Sequence, residues 1–310
     1  MTKPFITNLV LLLLAASLAL VIWLQPFSSP PPKPVLLTGV DPNSISAIRL
    51  TSGRELLFAL EKRSLAGAST WYLSDPAVMP ANSDKVKQLL ELLSTDSVRQ
   101  YEIKLENLAK LGLNPPGWEI ALDETVIQFG KTEPIEQRRY VRVGTLDGST
   151  TGTSAGTLVE ATAGNTVHLI NDRFSQYNFG SPYMLANLDI LPVDKSVTEV
   201  HLPDKVVKRV DGQWQSTPSD EAISQSTFNE FIDEWRYAQA LRVTLADKHA
   251  SDKNAKPVTI YLEKAEQPVH LTVESTGQDF IITNKDWGVR YYLANNTGKR
   301  LLQIAPPTIE

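Results

Sequence analysis

Ile45-Ser46-Ala47-Ile48-Arg49-Leu50 is the stretch that decides the fold, because apolar and polar residues alternate along it. Alternation with a period of two predicts a β-strand that buries one face. An apolar-rich segment at residues 55–61 follows Ser52-Gly53, so the two stretches together predict a β-hairpin. Trp71-Tyr72-Leu73 predicts a third short strand.

Helical periodicity appears only after these strands. Asn82 or Ser83 is placed to cap a helix from Asp84 to about Ser94. Leu105–Leu111 predicts a shorter helix that Gly112 ends. Further strands are predicted at residues 118–122, 126–129, 139–143 and 167–170. Residues 148–164 are rich in Gly, Thr, Ser and Ala, and they predict an exposed, mobile hairpin insertion.

The pattern then restarts, since Val197–Leu202 alternates as residues 45–50 do. Trp214 lies 17 residues before Phe231 in the next predicted helix, and Trp71 lies 18 residues before Leu89. That second helix is predicted to start at a Ser226 cap. Strands are predicted at residues 206–210, 214–216, 258–262, 269–273, 280–283 and 290–293. We predict an α+β fold of mostly antiparallel sheets with a few helices, in two similar β-rich halves that arose by duplication or merely share their patterning.

The N-terminus carries an apolar run from Phe5 to Leu24, and no charged residue occurs between Lys3 and Lys33. As a helix this run would be roughly 30 Å long, which matches the hydrocarbon core of a bilayer. Large residues close the run, so an uncleaved transmembrane helix is favoured over a cleaved signal peptide or a buried core helix. The predicted anchor residues are Phe5, Leu12, Leu20 and Trp23.

Four segments are predicted from this organisation. Residues 1–24 form the membrane anchor, and residues 25–34, with five prolines, form a stiff spacer. Residues 35–191 form a first α+β domain, and residues 192–310 form a second, repeat-like one. With Lys3 as a weak positive-inside signal, the N-terminus is predicted in the cytoplasm and the body on the other side of the membrane.

Composition excludes several functions. Hydrophobic residues make up 42% of the 310 residues and charged residues 21%, which predicts a folded globular body. The net charge of −5 argues against a nucleic-acid partner, which clustered Lys and Arg would bind. The chain has no cysteine, so disulfides, thiolate metal sites and a cysteine nucleophile are excluded.

No catalytic constellation is predicted. Gly152-Thr153-Ser154-Ala155-Gly156 matches a hydrolase nucleophile elbow formally, but it lies in a low-complexity stretch and not between a strand and a helix. The four histidines show no metal-ligand spacing and are interpreted as solvated strand residues. Asp123-Glu124 and Asp233-Glu234 are interpreted as a hairpin turn and the solvated face of a helix. Most tryptophans are assigned to the core, and no nucleotide-binding glycine motif occurs. We therefore predict no catalytic, cofactor or metal residues.

Residues 71–170 resemble the domain-of-unknown-function 4340 family. The resemblance rests on a Trp-x-Leu strand, a helix, Gly112-Leu113-Asn114-Pro115-Pro116 and Phe129-Gly130. The residues that carry it, taken as structural, are Trp71, Gly112, Leu113, Pro116, Phe129, Gly130 and Tyr140. The family is similar to part of the auxiliary subunits of gliding-motility-type ABC transporters, which implies a bacterial inner-membrane protein with its body in the periplasm.

We therefore expect a single-pass, non-enzymatic protein that binds a membrane or envelope protein partner, as an accessory subunit of an ABC transporter or an envelope complex. The lipid bilayer is its other predicted partner. The alternative is an envelope enzyme or a glycan-binding module with a site assembled from scattered residues.

Overall fold

The computed structural model describes residues 3–23, 35–53, 55–65, 68–146, 161–173, 181–219, 223–247 and 254–304. The chain divides into two compact units, Met1–Val35 and Leu36–Glu310. In the first unit, α1 (Lys3–Trp23) is a helix of 21 residues. Side chains of this helix are described without a gap only over residues 10–17. Within the described part of the chain, no helix is long and apolar enough to count as a membrane span.

The second unit begins with ten strands that form one sheet. They are β1 (Val35–Leu36), β2 (Ala47–Ser52), β3 (Glu55–Leu65), β4 (Ala68–Asp75), β5 (Met79–Pro80), β6 (Asp96–Glu102), β7 (Trp118–Leu122), β8 (Thr125–Thr132), β9 (Arg138–Leu146) and β10 (Ala161–Asn171). Helix α2 (Ser83–Leu90) follows β5, and 3-10 turns occupy Pro42–Ser44, Glu91–Ser94 and Leu105–Leu111. The strand order is β1-β6-β10-β9-β8-β7-β2-β3-β4-β5.

Eight further strands form a second sheet, after a 3-10 turn at Pro182–Leu185. Its elements are β11 (Val197–His201), β12 (Val206–Val210), β13 (Gln213–Thr217), α3 (Gln225–Arg236), β14 (Arg242–Leu245), β15 (Lys256–Leu262), β16 (Val269–Ser275), β17 (Asp279–Asn284), β18 (Val289–Ala294) and α4 (Asn295–Leu302). The strand order is β13-β12-β11-β15-β16-β17-β18-β14. All strand pairs with a described register are antiparallel, so the prediction of mostly antiparallel sheets is confirmed.

The two sheets share one strand order. Read from β6 to β4, the first sheet places its strands as the second does from β14 to β13. A helix also follows the third strand of each series, α2 after β4 and β5, and α3 after β13. Trp71 on β4 and Trp214 on β13 therefore occupy equivalent places, and each is only 7% exposed.

One hydrophobic core runs between the inner faces of both sheets and the helices packed on them. Leu89 of α2 and Trp235 of α3 are among its buried residues. The segment between the sheets is tied to both halves, since Asn82 N–H donates to Leu185 O (2.8 Å) and Ile190 N–H donates to Ala238 O (3.1 Å).

Local signals explain most element ends. The Asn82 side chain accepts from Lys85 N–H and caps α2 as predicted, whereas α3 is capped by Ser224 and not by the predicted Ser226. The cap prediction was wrong because both serines precede the apolar stripe, and only Ser224 has the extended backbone of a cap. The Asp123-Glu124 turn is confirmed, since Asp123 has φ 50° between β7 and β8.

Other predictions need correction. Residues 161–164, assigned to the exposed insertion, belong to strand β10, while residues 147–160 lie outside the described residues. Leu105–Leu111 is a 3-10 helix, and the predicted helix from Asp84 to Ser94 changes to a 3-10 turn after Leu90. Four strands and one helix were not predicted: β1, β5, β6, β14 and α4.

Candidate functional site

Six of the seven residues that carry the family resemblance lie at one place on the first sheet. Gly112 ends the 3-10 helix Leu105–Leu111 with φ 69° and ψ 29°, a conformation that favours glycine. Leu113 then turns back, and its N–H donates to Leu108 O (2.9 Å). We call the residues around this turn the motif cluster; they are Gly112, Leu113, Pro116, Phe129, Gly130 and Tyr140.

A second, small core holds Leu113 and Tyr140 of the motif cluster on the face of the sheet away from the main core. Its buried members are Leu108, Leu113 and Val167, and Tyr140 packs against them. Gly130 of β8 lies directly under the turn, because a Cβ at this position would overlap the Leu111 carbonyl and come within 2.9 Å of Leu113 Cγ. Pro116 forms a β-bridge with Leu113.

The opposite face of β8 at this point belongs to the main core. Phe129 is fully buried and stacks on Trp118 with ring centroids 3.8 Å apart. Arg139 anchors the end of the strand, since it donates to Gly130 O (2.8 Å) and forms an ion pair with Asp172 (2.7 Å). The motif cluster therefore fastens the Leu105–Leu111 segment to the sheet.

Trp71 lies apart from the motif cluster. It sits on β4 in the main core, with the Lys62 ammonium 5.9 Å from its ring centroid. Of the predicted anchor residues, Leu12 is 68% exposed and Leu20 is 54% exposed on α1. Phe5 and Trp23 belong to the same helix, and their side chains lie outside the described residues.

Gly130→Ala is expected to destabilise the body by about 2 kcal/mol, because the new methyl group meets a backbone carbonyl that cannot move without shifting the Leu105–Leu111 turn. Urea unfolding of the purified protein measures this change. Gly39→Ala is the matched control, since no atom lies within 4 Å of a Cβ placed there. An unchanged midpoint for Gly130→Ala would show that the turn is not fastened at this glycine.

A buried polar chain crosses the first sheet beside the motif cluster. Arg142 on β9 is 7% exposed and donates to the carbonyls of Ala163 (2.9 Å) and Gly164 (2.9 Å) and to Gln128 Oε1 (3.3 Å). Gln128 Nε2 donates in turn to Glu119 Oε2 (3.2 Å). Burial lowers the pKa of Arg142, and Glu119 opposes that shift. These hydrogen bonds engage the guanidinium of Arg142 within the protein. The bonds to Ala163 and Gly164 join β9 to β10 and hold that hairpin together.

The histidines do not behave alike. His168 on β10 is buried, so its interpretation as a solvated strand residue was wrong. Its Nδ1 lies 3.0 Å from Ser97 Oγ, and the Ser97 hydroxyl donates to Arg99 O (3.2 Å). With its proton directed to the Arg99 carbonyl, the Ser97 oxygen can accept from the Nδ1–H tautomer of His168, whereas a histidine base would accept the serine proton.

The other histidines are on the second sheet or outside the described residues. His201 is half-buried, with Nε2 2.6 Å from Glu199 Oε1, and His270 is exposed. Both are cross-strand neighbours of Thr259, on one face of the sheet. His249 and the Gly152–Gly156 stretch lie outside the described residues. Among the described residues, no group of three His, Asp or Glu side chains could hold a metal ion.

His168 is expected to make stability depend on pH. Burial lowers its pKa in the folded protein, with Glu102 opposing, so the unfolded chain takes up a proton first as the pH falls. The contribution of neutral His168 is fully present above the unfolded pKa of about 6.5, and it is lost as the pH falls through the lower, folded pKa.

Free energies of unfolding between pH 8 and pH 5 test this expectation. The wild type should lose more stability toward pH 5 than His168→Gln, which lacks the titrating ring. His270→Gln removes an exposed strand histidine, and it should follow the wild-type curve. Parallel curves for wild type and His168→Gln would contradict the prediction.

Two buried tyrosines are further titratable groups in the described part of the core. Burial raises the pKa of Tyr183 to about 12, with Asp75 adding to the shift. Burial also raises the pKa of Tyr291, and Asp189 acts in the same direction. Neither hydroxyl has a hydrogen-bond partner among the described residues. Both phenols therefore stay neutral at ordinary pH, where they can donate a hydrogen bond but not act as bases.

An open groove of about 480 Å³ lies between α3 and α4. It is lined by Glu230, Asp233, Glu234, Tyr237, Ala238, Gln239, Thr297 and Arg300. The expected solvated position of Asp233-Glu234 is confirmed, since Asp233 is exposed and Glu234 is half-buried. Arg300 Nε lies 2.7 Å from Glu234 Oε1 and so neutralises one of the carboxylates.

The chain was compared with protein-family models, with curated proteins and with solved structures, and none of the three comparisons found a match. The resemblance to the domain-of-unknown-function 4340 family thus stays a prediction that rests on the residues of the motif cluster and Trp71.

Proposed function

We propose that this chain is a single-pass membrane protein whose body binds another protein as an accessory subunit. The observation that carries the proposal is the run Phe5–Leu24, which has no charge and the length of a bilayer span. The helical conformation of Lys3–Trp23 and the exposure of its described leucines support it. The leucines at 11, 12 and 13 are each more than 60% exposed, which is costly in water and favourable in lipid.

The body is proposed to lie outside the cytoplasm, at the bacterial inner membrane. A partner in an ABC transporter or an envelope complex follows from the family resemblance and from the membrane run together. The motif cluster supports a structural role for the family-like residues.

We also propose that the two halves arose by duplication. Support comes from the shared strand order and from the equivalent positions of Trp71 and Trp214. Two unrelated antiparallel meanders would have no reason to place their first strand, β2 or β11, at the same sixth position of the shared eight-strand series.

Two experiments test the proposal. A reporter that is active only in the periplasm, fused after Glu310, is expected to be active, and activity only of a cytoplasmic reporter would overturn the location. Crosslinking in intact cells followed by mass spectrometry is expected to recover a membrane or envelope protein. Repeated recovery of no such partner, with the protein correctly located, would overturn the binding role.

A further inference from the structure

The outer edge of the second sheet is closed by a side chain. β13 is the last strand of the sheet and pairs with β12 alone. The two strands are joined by Asp211-Gly212, with φ 50° and 83°, which is the geometry of a tight two-residue hairpin. Alternate residues of β13 therefore direct their N–H and C=O away from β12, and Trp214 is one of them.

Gln225 binds both of these backbone groups. Trp214 N–H donates to Gln225 Oε1 (2.9 Å), and Gln225 Nε2 donates to Trp214 O (2.7 Å). A primary amide presents one acceptor and one donor side by side, as the backbone of a neighbouring antiparallel strand does. Gln225 is the first residue of α3, so the helix fixes the amide beside the strand.

The first sheet shows what normally occupies this position. Its equivalent strand, β4, is followed outward by β5, with Tyr72 opposite Pro80 and Leu73 opposite Met79. The carbonyl of Trp71 accepts from Ala81 N–H (2.9 Å), where the carbonyl of Trp214 accepts from the Gln225 side chain. In the second half, one side chain thus takes the place of a strand.

Nothing else on β13 discourages pairing. Its sequence, Gln213-Trp214-Gln215-Ser216-Thr217, contains no charge and no proline, the two features that usually protect a sheet edge. A second copy of this chain is the natural occupant of such an edge. Two β13 strands that run antiparallel present donor to acceptor reciprocally, as a two-fold interface requires.

We infer that Gln225 occupies the free backbone N–H and C=O at the edge of β13 and thereby prevents two copies of this chain from pairing through that edge. The test compares full-length wild type, Gln225→Ala, Gln225→Asn and Gln215→Ala, all purified in the same detergent. The readouts are the oligomeric state over a hundredfold range of concentration and the hydrogen exchange of the Trp214 amide. Gln215→Ala is the matched control, because it removes an exposed glutamine of the same strand.

Gln225→Ala is expected to associate at least tenfold more tightly than wild type and Gln215→Ala. Its Trp214 amide should exchange at least tenfold faster at low concentration and regain protection as the copies pair. Gln225→Asn keeps the neutral amide on a side chain that is one methylene group shorter, so it should not reach both backbone groups of Trp214. Its Trp214 amide should exchange faster than in wild type, and it should associate more tightly than Gln215→Ala.

Faster exchange without association in Gln225→Ala would overturn the inference, since Gln225 would then stabilise only its own chain. If Gln225→Ala does not fold, Gln225→Asn decides: association no tighter than that of Gln215→Ala would also overturn the inference.

Discussion

Replacing both Leu13 and Leu14 with arginine is expected to release the protein from the membrane fraction. The two positions lie near the middle of the run Phe5–Leu24, and their side chains are 61% and 56% exposed. An arginine at the centre of a spanning helix costs about 2.5–3.5 kcal/mol on insertion scales, whereas a leucine is favourable by about 0.5 kcal/mol. Two arginines thus oppose insertion by about 6–8 kcal/mol, more than the remaining leucines offset.

Fractionation with an alkaline wash, together with the reporter after Glu310, measures this effect. The matched control is the double change of Leu13 and Leu14 to alanine, which shortens the side chains without adding charge. The control should stay in the membrane fraction with an active periplasmic reporter. If the arginine variant also stays there in the same proportion, the run does not anchor the protein by crossing the bilayer, and the proposed function loses its main support.

The inner strands were predictable because burial on one face requires apolar and polar residues to alternate along the strand. Ile48 and Leu50 of β2 are fully buried, and the residues between and after them are not. Strand β6 lies between the two-residue strand β1 and β10, and it does not show this alternation, since only Ser97 and not its apolar Val98 is buried along it. A strand that packs little of either face against the core can be polar on both faces. Alternation of apolar and polar residues then does not reveal it.

The motif cluster was predictable in part. Gly112 could be assigned to a helix end because a glycine after an apolar stripe, followed by prolines, is the usual signal for a left-handed cap. The contact between Gly130 and the Leu111 carbonyl joins segments nearly twenty residues apart, and no local pattern encodes it. Gln225 was invisible for the same reason: a glutamine at the start of a helix is ordinary until Trp214 lies beside it.

Helix α4 was missed because its sequence opposes helix formation. Asn295, Asn296 and Gly298 are weak helix formers, and no side-chain cap bond begins the helix. Packing decides instead: Leu301 is fully buried, and the Leu301 carbonyl accepts from the indole N–H of Trp235 (2.9 Å). Tertiary contact of this kind overrides intrinsic propensity.

Gly298→Ala is expected to destabilise the body although it replaces a helical glycine. In an exposed helix this change would stabilise by about 1 kcal/mol through propensity alone. Here a Cβ would overlap the ring of Phe280, which is 2% exposed on β17 and held in the core. The overlap is deep and the ring is fixed, so we expect a cost of about 3 kcal/mol, the upper end of the usual range for overpacking. After the gain of about 1 kcal/mol from propensity, the net result should be a loss of about 2 kcal/mol.

A double-mutant cycle with Phe280→Leu separates the contact from the propensity. The smaller Leu side chain costs stability alone, but it makes room for the new methyl group, so Gly298→Ala should cost at least 1 kcal/mol less in that background. Lys299→Ala, on the exposed side of the same helix, is the control and should change stability by less than about 0.5 kcal/mol. Equal losses in both backgrounds would mean that α4 does not rest on Phe280, and an increase in stability would mean that its position against β17 is not fixed by Gly298.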